Sequence, residues 1–207
     1  MKYLWHLLYT ILIVTFISCS GGEVAPTAEE VSPAEVGEEI PDVTLKDPFG
    51  DDAELQDLIS RKPTLLIFYR GGWCPYCNTH LSQLAEIEEQ LYDMGIQILA
   101  VSPDKPSYLK ESMMEHDLNY QLLSDSDMSA TKEFGLAFRV DTTTVNRYKR
   151  NGMDLAERSG YDHYLLPVPA AFLVDTNAMI EYRYFNPDYT VRIENDEILA
   201  AVEEMLE

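Results

Sequence analysis

The chain has 207 residues, of which 36 are acidic and 15 basic, for a formal net charge of −21. That charge excludes binding to nucleic acid or to an anionic membrane through a basic surface, and by itself it names no partner. The length allows one domain of ordinary size with extensions.

Residues 1–19 read as an export signal outside the fold. Lys2 is a minimal positive head, and Leu4 to Ile17 is almost wholly apolar. That run matches a signal-peptide core and is too short to span a bilayer comfortably. It ends in Phe16-Ile17-Ser18-Cys19, which resembles a bacterial lipoprotein signal with Phe16 where Leu is usual. On this reading Cys19 is acylated, becomes the new N-terminus and anchors an exported protein at a membrane of the cell envelope. The alternatives are an uncleaved anchor, or cleavage elsewhere with Cys19 left free. Residues 20–39, rich in Gly, Ala, Pro and Glu without apolar periodicity, read as a disordered acidic tether.

A single domain is expected over 40–207. Pro41 to Leu45 and the turn Asp47-Pro48-Phe49-Gly50-Asp51 predict an N-terminal hairpin, followed by a helical turn over Leu55 to Ile59. The apolar run Thr64 to Tyr69 predicts a core strand. Leu81, Leu84, Ile87 and Leu91 mark an amphipathic helix that runs to about Met94 and is stopped by Gly95. A strand over Ile96 to Val101, a helix over 106–116, a short strand at Gln121 to Leu123 and a helix over Ser129 to Phe134 come next. Thr142 to Arg150 reads as a helix in a polar excursion, 140–166, that covers the site. Its basic residues Arg147, Lys149, Arg150 and Arg158 are read as a solvated face, with an anion or partner patch as the alternative. One strand over Leu165 to Asp175, a paired strand over Met179 to Phe185 and a closing helix from Glu194 to Glu207 complete the chain. Strands alternating with helices, then a hairpin and a last helix, give an α/β domain with a mixed sheet.

The chemistry concentrates in Arg70-Gly71-Gly72-Trp73-Cys74-Pro75-Tyr76-Cys77. The loop after the core strand delivers Cys74 to the first turn of the helix. There the free N–H groups and the helix dipole favour a thiolate. Pro75 suits the first helical position because it has no N–H to leave unpaired. Cys77, one turn on, is placed to attack a mixed disulfide or a sulfenic acid on Cys74. Two other readings compete. A structural disulfide would close too short a loop to remove much chain entropy. A zinc site extending to His80 lacks four ligands, since His6, His116 and His163 show no ligand spacing. His80 is read as a surface or supporting helix residue. No metal and no cofactor are expected.

These elements resemble the thioredoxin fold, which implies a central mixed sheet flanked by helices with an N-terminal hairpin extension. Val168-Pro169-Ala170 stands where thioredoxin-like proteins carry a cis-proline facing the dithiol. Over most of 37–203 the chain is similar to a peroxiredoxin-like branch of the alkyl hydroperoxide reductase C / thiol-specific antioxidant (AhpC/TSA) family. The blocks that carry this are Phe68 to Asn78, Val101-Ser102-Pro103-Asp104, Leu123-Ser124-Asp125, Phe134-Gly135-Leu136, Leu166 to Ala170 and Pro187-Asp188-Tyr189-Thr190. The resemblance implies an antioxidant oxidoreductase with Cys74 peroxidatic and Cys77 resolving. Its substrate would be a hydroperoxide and its electron donor an external, thioredoxin-like thiol. The chain departs from the pattern in two places. Gly71 stands three before Cys74, where a Thr or Ser is usual, and Val168-Pro169 replaces an Arg-containing strand. Arg70 is the candidate positive charge beside Cys74, with a salt-bridged loop arginine as the alternative. Trp73 and Tyr76 either form an apolar rim for substrate or, for Trp73, pack under the loop. The runner-up function is an envelope thiol-disulfide oxidoreductase acting on protein disulfides and recycled by a membrane reductase. A third reading is a non-catalytic envelope binding module.

Overall fold

A computed structural model describes residues 22–116 and 118–207. Cys19 and the stretch expected to be an export signal lie outside the described residues.

The core strand β3 (Thr64–Phe68) is buried at every position, as befits a strand covered on both faces. Its alternating side chains divide between two cores. Leu65 and Ile67 join Leu81, Leu84 and Leu91 of α2 (Pro75–Asp93), Leu109 of α3 (Pro106–His116), and Ile198 and Val202 of α7 (Asn195–Leu206). Leu66 and Phe68 join Leu55 and Ile59 of α1 (Leu55–Ile59), Ala130 of α4 (Ser129–Glu133), and Phe134. Phe68, Phe134 and Phe172 pack ring against ring, with centroids 4.8 to 6.1 Å apart. The continuous apolar run in the sequence therefore produces a three-layer domain.

β3 pairs in parallel with β4 (Gln97–Ser102), which pairs in parallel with β5 (Gln121–Ser124). On its other side β3 runs antiparallel to β8 (Ala170–Val174), followed by β9 (Ile180–Phe185). The hairpin of β1 (Thr44–Lys46) and β2 (Asp52–Glu54) extends the sheet beyond β5, giving the order β2-β1-β5-β4-β3-β8-β9. This is the expected thioredoxin-like mixed sheet with its N-terminal hairpin. α2 ends at Asp93, and Gly95 follows with a φ of +84°, the left-handed conformation expected after a helix end.

Several expectations are corrected. The strand expected over Leu165 to Asp175 is two strands in two sheets. β7 (Leu165–Pro167) pairs with β6 (Ala137–Arg139) in a separate ribbon, and only β8 enters the main sheet. Pro167 and Pro169 bracket the step, because neither has an N–H to carry a ladder onward. No peptide bond among the described residues is cis, so Val168–Pro169 is trans. Val168 is fully buried, and its N–H donates to the Leu136 carbonyl, which keeps the step tied to the ribbon. The excursion folds as α5 (Thr142–Arg150) and α6 (Leu155–Ser159) around a satellite core of Val140, Val145, Leu155 and Leu166.

The tether is also corrected. Residues 22–39 lie along the domain rather than free of it. The Ala25 N–H donates to Ala137 O at 2.9 Å and Ala25 O accepts from the Arg139 N–H at 3.0 Å, so Ala25 bridges to the edge of the ribbon. Further on, the Ala34 N–H donates to Phe134 O and the Gly37 N–H to Ile180 O. Composition gives no sign of this because the docking rests on main-chain hydrogen bonds and on a few small apolar side chains, Ala28, Val31 and Ala34, without periodicity.

Candidate active site

The β3–α2 loop is held at both ends and in the middle. The Tyr69 N–H donates to Val101 O, continuing the parallel ladder one residue past β3. The Gly72 N–H donates to the Asp104 carboxylate at 2.8 Å, and Gly72 O accepts from Asn78 Nδ2 at 2.8 Å. Asp104, fully buried, also takes Arg158 of α6 in a bidentate pair at 2.9 and 2.6 Å. Arg158 in turn lies 3.6 Å over the Tyr108 ring. A Cβ on Gly72 would meet Ser112 Oγ of α3 at 2.0 Å, so no larger residue fits the loop there without movement.

This loop sets Cys74 as the N-cap of α2 with Pro75 at its first position, as the sequence predicts. Cys74 is 1% exposed and Cys77 is equally buried; both are free thiols. The Cys74 thiol is lowered from 9.0 to about 6. The main cause is the hydrogen bond given by the Cys77 side chain. Burial opposes it, and the Cys77 N–H and the charges of Arg70 and Arg192 add to it. Cys77 moves the opposite way: burial, then its bond to Cys74, push it well above the ordinary thiol value. One thiol is thus ready to attack while its neighbour holds a proton.

Arg70 is 4% exposed and enters no salt bridge with any described residue. It donates to Tyr148 Oη at 2.5 Å and stacks 3.9 Å from the centre of the Tyr189 ring. It is the buried positive charge expected beside Cys74. Trp73 packs against Tyr148, with centroids 5.4 Å apart, and against the satellite core, its indole nitrogen enclosed. Of the two readings of Trp73, packing is the one seen. Tyr76 is 48% exposed and meets Tyr189 edge-on.

Pro169 and Arg70 line a cleft of about 640 Å³ with Tyr148 and Tyr189. Pro26 to Glu29 form part of its lining. Val168 does not reach the cleft, which corrects its assignment as a substrate contact. Of the two readings of His80 the surface one is excluded: it is 4% exposed, its Nε2 has no partner among the described residues, and burial lowers it to about 4. Of the excursion's basic residues, Arg158 is spent on Asp104 and Lys149 pairs with Asp154. Arg147 lines the cleft. Among the described residues no group of three or more His, Cys, Asp or Glu is disposed to hold a metal.

Three residues escaped the sequence reading. Arg192, after β9, donates to Cys77 Sγ at 3.6 Å. Tyr148 and Tyr189 embrace Arg70 from opposite elements. Tyr189 sits in a block already noted for resemblance; Arg192 and Tyr148 carry no local signal.

The chain matches the model of the AhpC/TSA family over residues 36–183. It is 31% identical over 106 residues to "Putative peroxiredoxin bcp" of Haemophilus influenzae, covering 51% of this chain and 68% of that one. It is 29% identical over 106 residues to "Peroxiredoxin Bcp" of Escherichia coli, covering 51% and 67%. Among solved structures, reduced Prx3 of Vibrio vulnificus in complex with H2O2 superposes with a TM-score of 0.69 at 20% identity, covering 84% of this chain and 99% of that one. A cysteine-to-serine mutant of PrxQ from Xylella fastidiosa gives a TM-score of 0.66 at 16% identity, covering 85% and 99%. At these identities the superpositions speak for the fold.

Proposed function

The chain belongs to the AhpC/TSA family, and from that premise we propose that it is a thiol-dependent peroxidase in which Cys74 attacks the peroxide and Cys77 resolves. The observation that carries the assignment is the arrangement of two free, buried thiols at the start of α2 within the matched family, Cys77 donating to Cys74 and favouring its thiolate. The Cys74 thiolate attacks the terminal oxygen of a hydroperoxide and the O–O bond breaks. The leaving alkoxide or hydroxide takes a proton, and Cys74 becomes a sulfenic acid. The Cys77 sulfur displaces that hydroxyl as water and an intramolecular disulfide forms. An external dithiol of thioredoxin type returns the two electrons. Arg70 and Arg192 stabilise the thiolate before attack, and a positive charge at the site offsets the negative charge that passes to the departing oxygen. The relatives bearing peroxiredoxin names support peroxide over protein disulfide as substrate.

The signal-like N-terminus supports export, with Cys19 as the lipid attachment that holds the enzyme at a membrane of the cell envelope. No helix among the described residues is long and apolar enough to cross a membrane.

Stopped-flow oxidation of the reduced protein by hydrogen peroxide and by a model protein disulfide, followed by Trp73 fluorescence, tests the assignment. Fast, Cys74-dependent reaction at micromolar peroxide is expected. Peroxide reactivity no better than a free thiolate, with rapid disulfide exchange, would make it a disulfide reductase instead.

A further inference from the structure

Residues 25–35 are fixed to the domain at three points. At one end, Ala25 adds a bridge to the outer edge of β6 through the Ala137 carbonyl and the Arg139 N–H. In the middle, Ser32 O fills the space above Gly135, where a Cβ would lie only 2.0 Å from it. At the other end, Arg183 of β9 donates to Pro33 O at 2.8 Å and Ala34 O at 3.0 Å, and pairs with Glu35 at 3.0 Å. Between these anchors a single 3-10 turn, Ala28–Glu30, lays Pro26 to Glu29 along the cleft.

Cys74 does not itself line the cleft, but Arg70 does, four residues before it, with its charge acting on the thiol, and so does Tyr189, which packs on Arg70 and on Tyr76 at the start of α2. At about 640 Å³ the cleft is far larger than hydrogen peroxide and of the size that holds a drug-like molecule. Pro26, Ala28, Phe138, Val140 and Pro167 give it apolar surface. The dithiol needs none of this for its chemistry. A wall built from a segment outside the main sheet acts on what can approach.

We propose that substrate reaches Cys74 by way of this cleft, and that residues 26–29, docked as a fixed wall of it, limit the size of the molecule that passes. With the wall in place, small peroxides and slender organic hydroperoxides enter. With it released, bulkier aromatic ones do. This rests on the peroxidase reading for its substrates, but not for its test of access.

Two substitutions outside the cleft lining release the wall by different means in the full chain. Arg183→Leu removes the clamp at residues 33–35, and Ala25→Pro removes the N–H donated to Ala137. For each, the rate constant with cumene hydroperoxide is compared with that for hydrogen peroxide. In parallel, alkylation at Cys74, read by peptide mass, is compared between pyrene maleimide and iodoacetamide. Both bulky-to-small ratios are expected to rise about tenfold in both variants. Ratios that stay within about twofold of the parent in both variants overturn the proposal. An alkylation ratio that rises in a protein with no peroxide reactivity keeps the wall and rejects the peroxidase, so the two failures are distinguishable.

Discussion

Burial alone would raise the pKa of Cys74, a residue 1% exposed. Its shift to about 6 therefore depends on what surrounds the sulfur: the Cys77 thiol and N–H, then Arg70 and Arg192. The thiolate is the reactive form, so the rate of Cys74 oxidation should climb with pH around a midpoint near 6 and level off above it. Cys77→Ser should leave the first oxidation detectable but stop at a sulfenic acid, which a dimedone-type reagent would trap. Cys74→Ser should lower peroxide reactivity at least about a thousandfold in the stopped-flow assay. His80 offers a test at equilibrium. In the unfolded chain it takes a proton near 6.5, but in the fold only near 4. Between those values the unfolded state binds more protons, so stability falls as pH drops from 6.5 to 4. Asp125, raised by burial to about 6, runs the other way over much of the same range. Comparing His80→Phe with the parent isolates the histidine. The variant should lose about 2 kcal/mol of acid sensitivity across that window, measured by urea unfolding at several pH values.

The β3–α2 loop has its shape dictated from outside by α3, α6 and the end of β4. Asp104 is the hub, taking Gly72 from the loop and Arg158 from the excursion. Arg158→Met would leave that carboxylate buried without its cation, at a cost of about 3 kcal/mol in chemical denaturation. The expected loss of order in the loop should also raise the midpoint of the Cys74 pH–rate profile, which a purely global destabilisation would not move. Gly72→Ala should destabilise by about 2 kcal/mol, because the new methyl would lie 2.0 Å from Ser112 Oγ. Ser112→Ala in the same chain should recover part of that loss, since the side-chain Cβ of Ser112 stands back at 3.3 Å. The polar excursion was legible as a cover for the site from its position and composition. Its internal order was not, because α6 is a single short turn held mainly by the Arg158–Asp104 pair and by Leu155 in the satellite core.

For the molecule as a whole, the docked N-terminal segment changes the reach of any lipid anchor. With acylated Cys19, the stretch between the lipid and the domain runs at most to Ala25, whose backbone is hydrogen-bonded to the β6–β7 ribbon. Six Cα–Cα steps at full extension reach about 20 Å. The domain would then stand close to the membrane, not at the end of a leash reaching to residue 39. Cys19→Ser should move the protein from the membrane fraction to the soluble fraction after export, with the peroxide rate of the purified enzyme unchanged.

What the sequence by itself determined is local. Apolar periodicity gave the strands and helices of the main sheet, because a side chain's burial follows from its position along one element. The strand–loop–Cys74-Pro75-Tyr76-Cys77–helix order placed a thiol at a helix start, where the backbone alone favours ionisation. Tertiary structure decided the rest. Arg192 meets Cys77 across 115 positions of chain, and Tyr148 reaches Arg70 across 78. Such contacts depend on how separate elements pack, and no spacing within one element encodes them. The docking of residues 22–39 is of the same kind: backbone N–H and C=O groups, the small apolar side chains of Ala28, Val31 and Ala34 and the carboxylate of Glu35 find the edge of the β6–β7 ribbon, the space above Gly135, the core beneath and the guanidinium of Arg183, partners set far off in the chain.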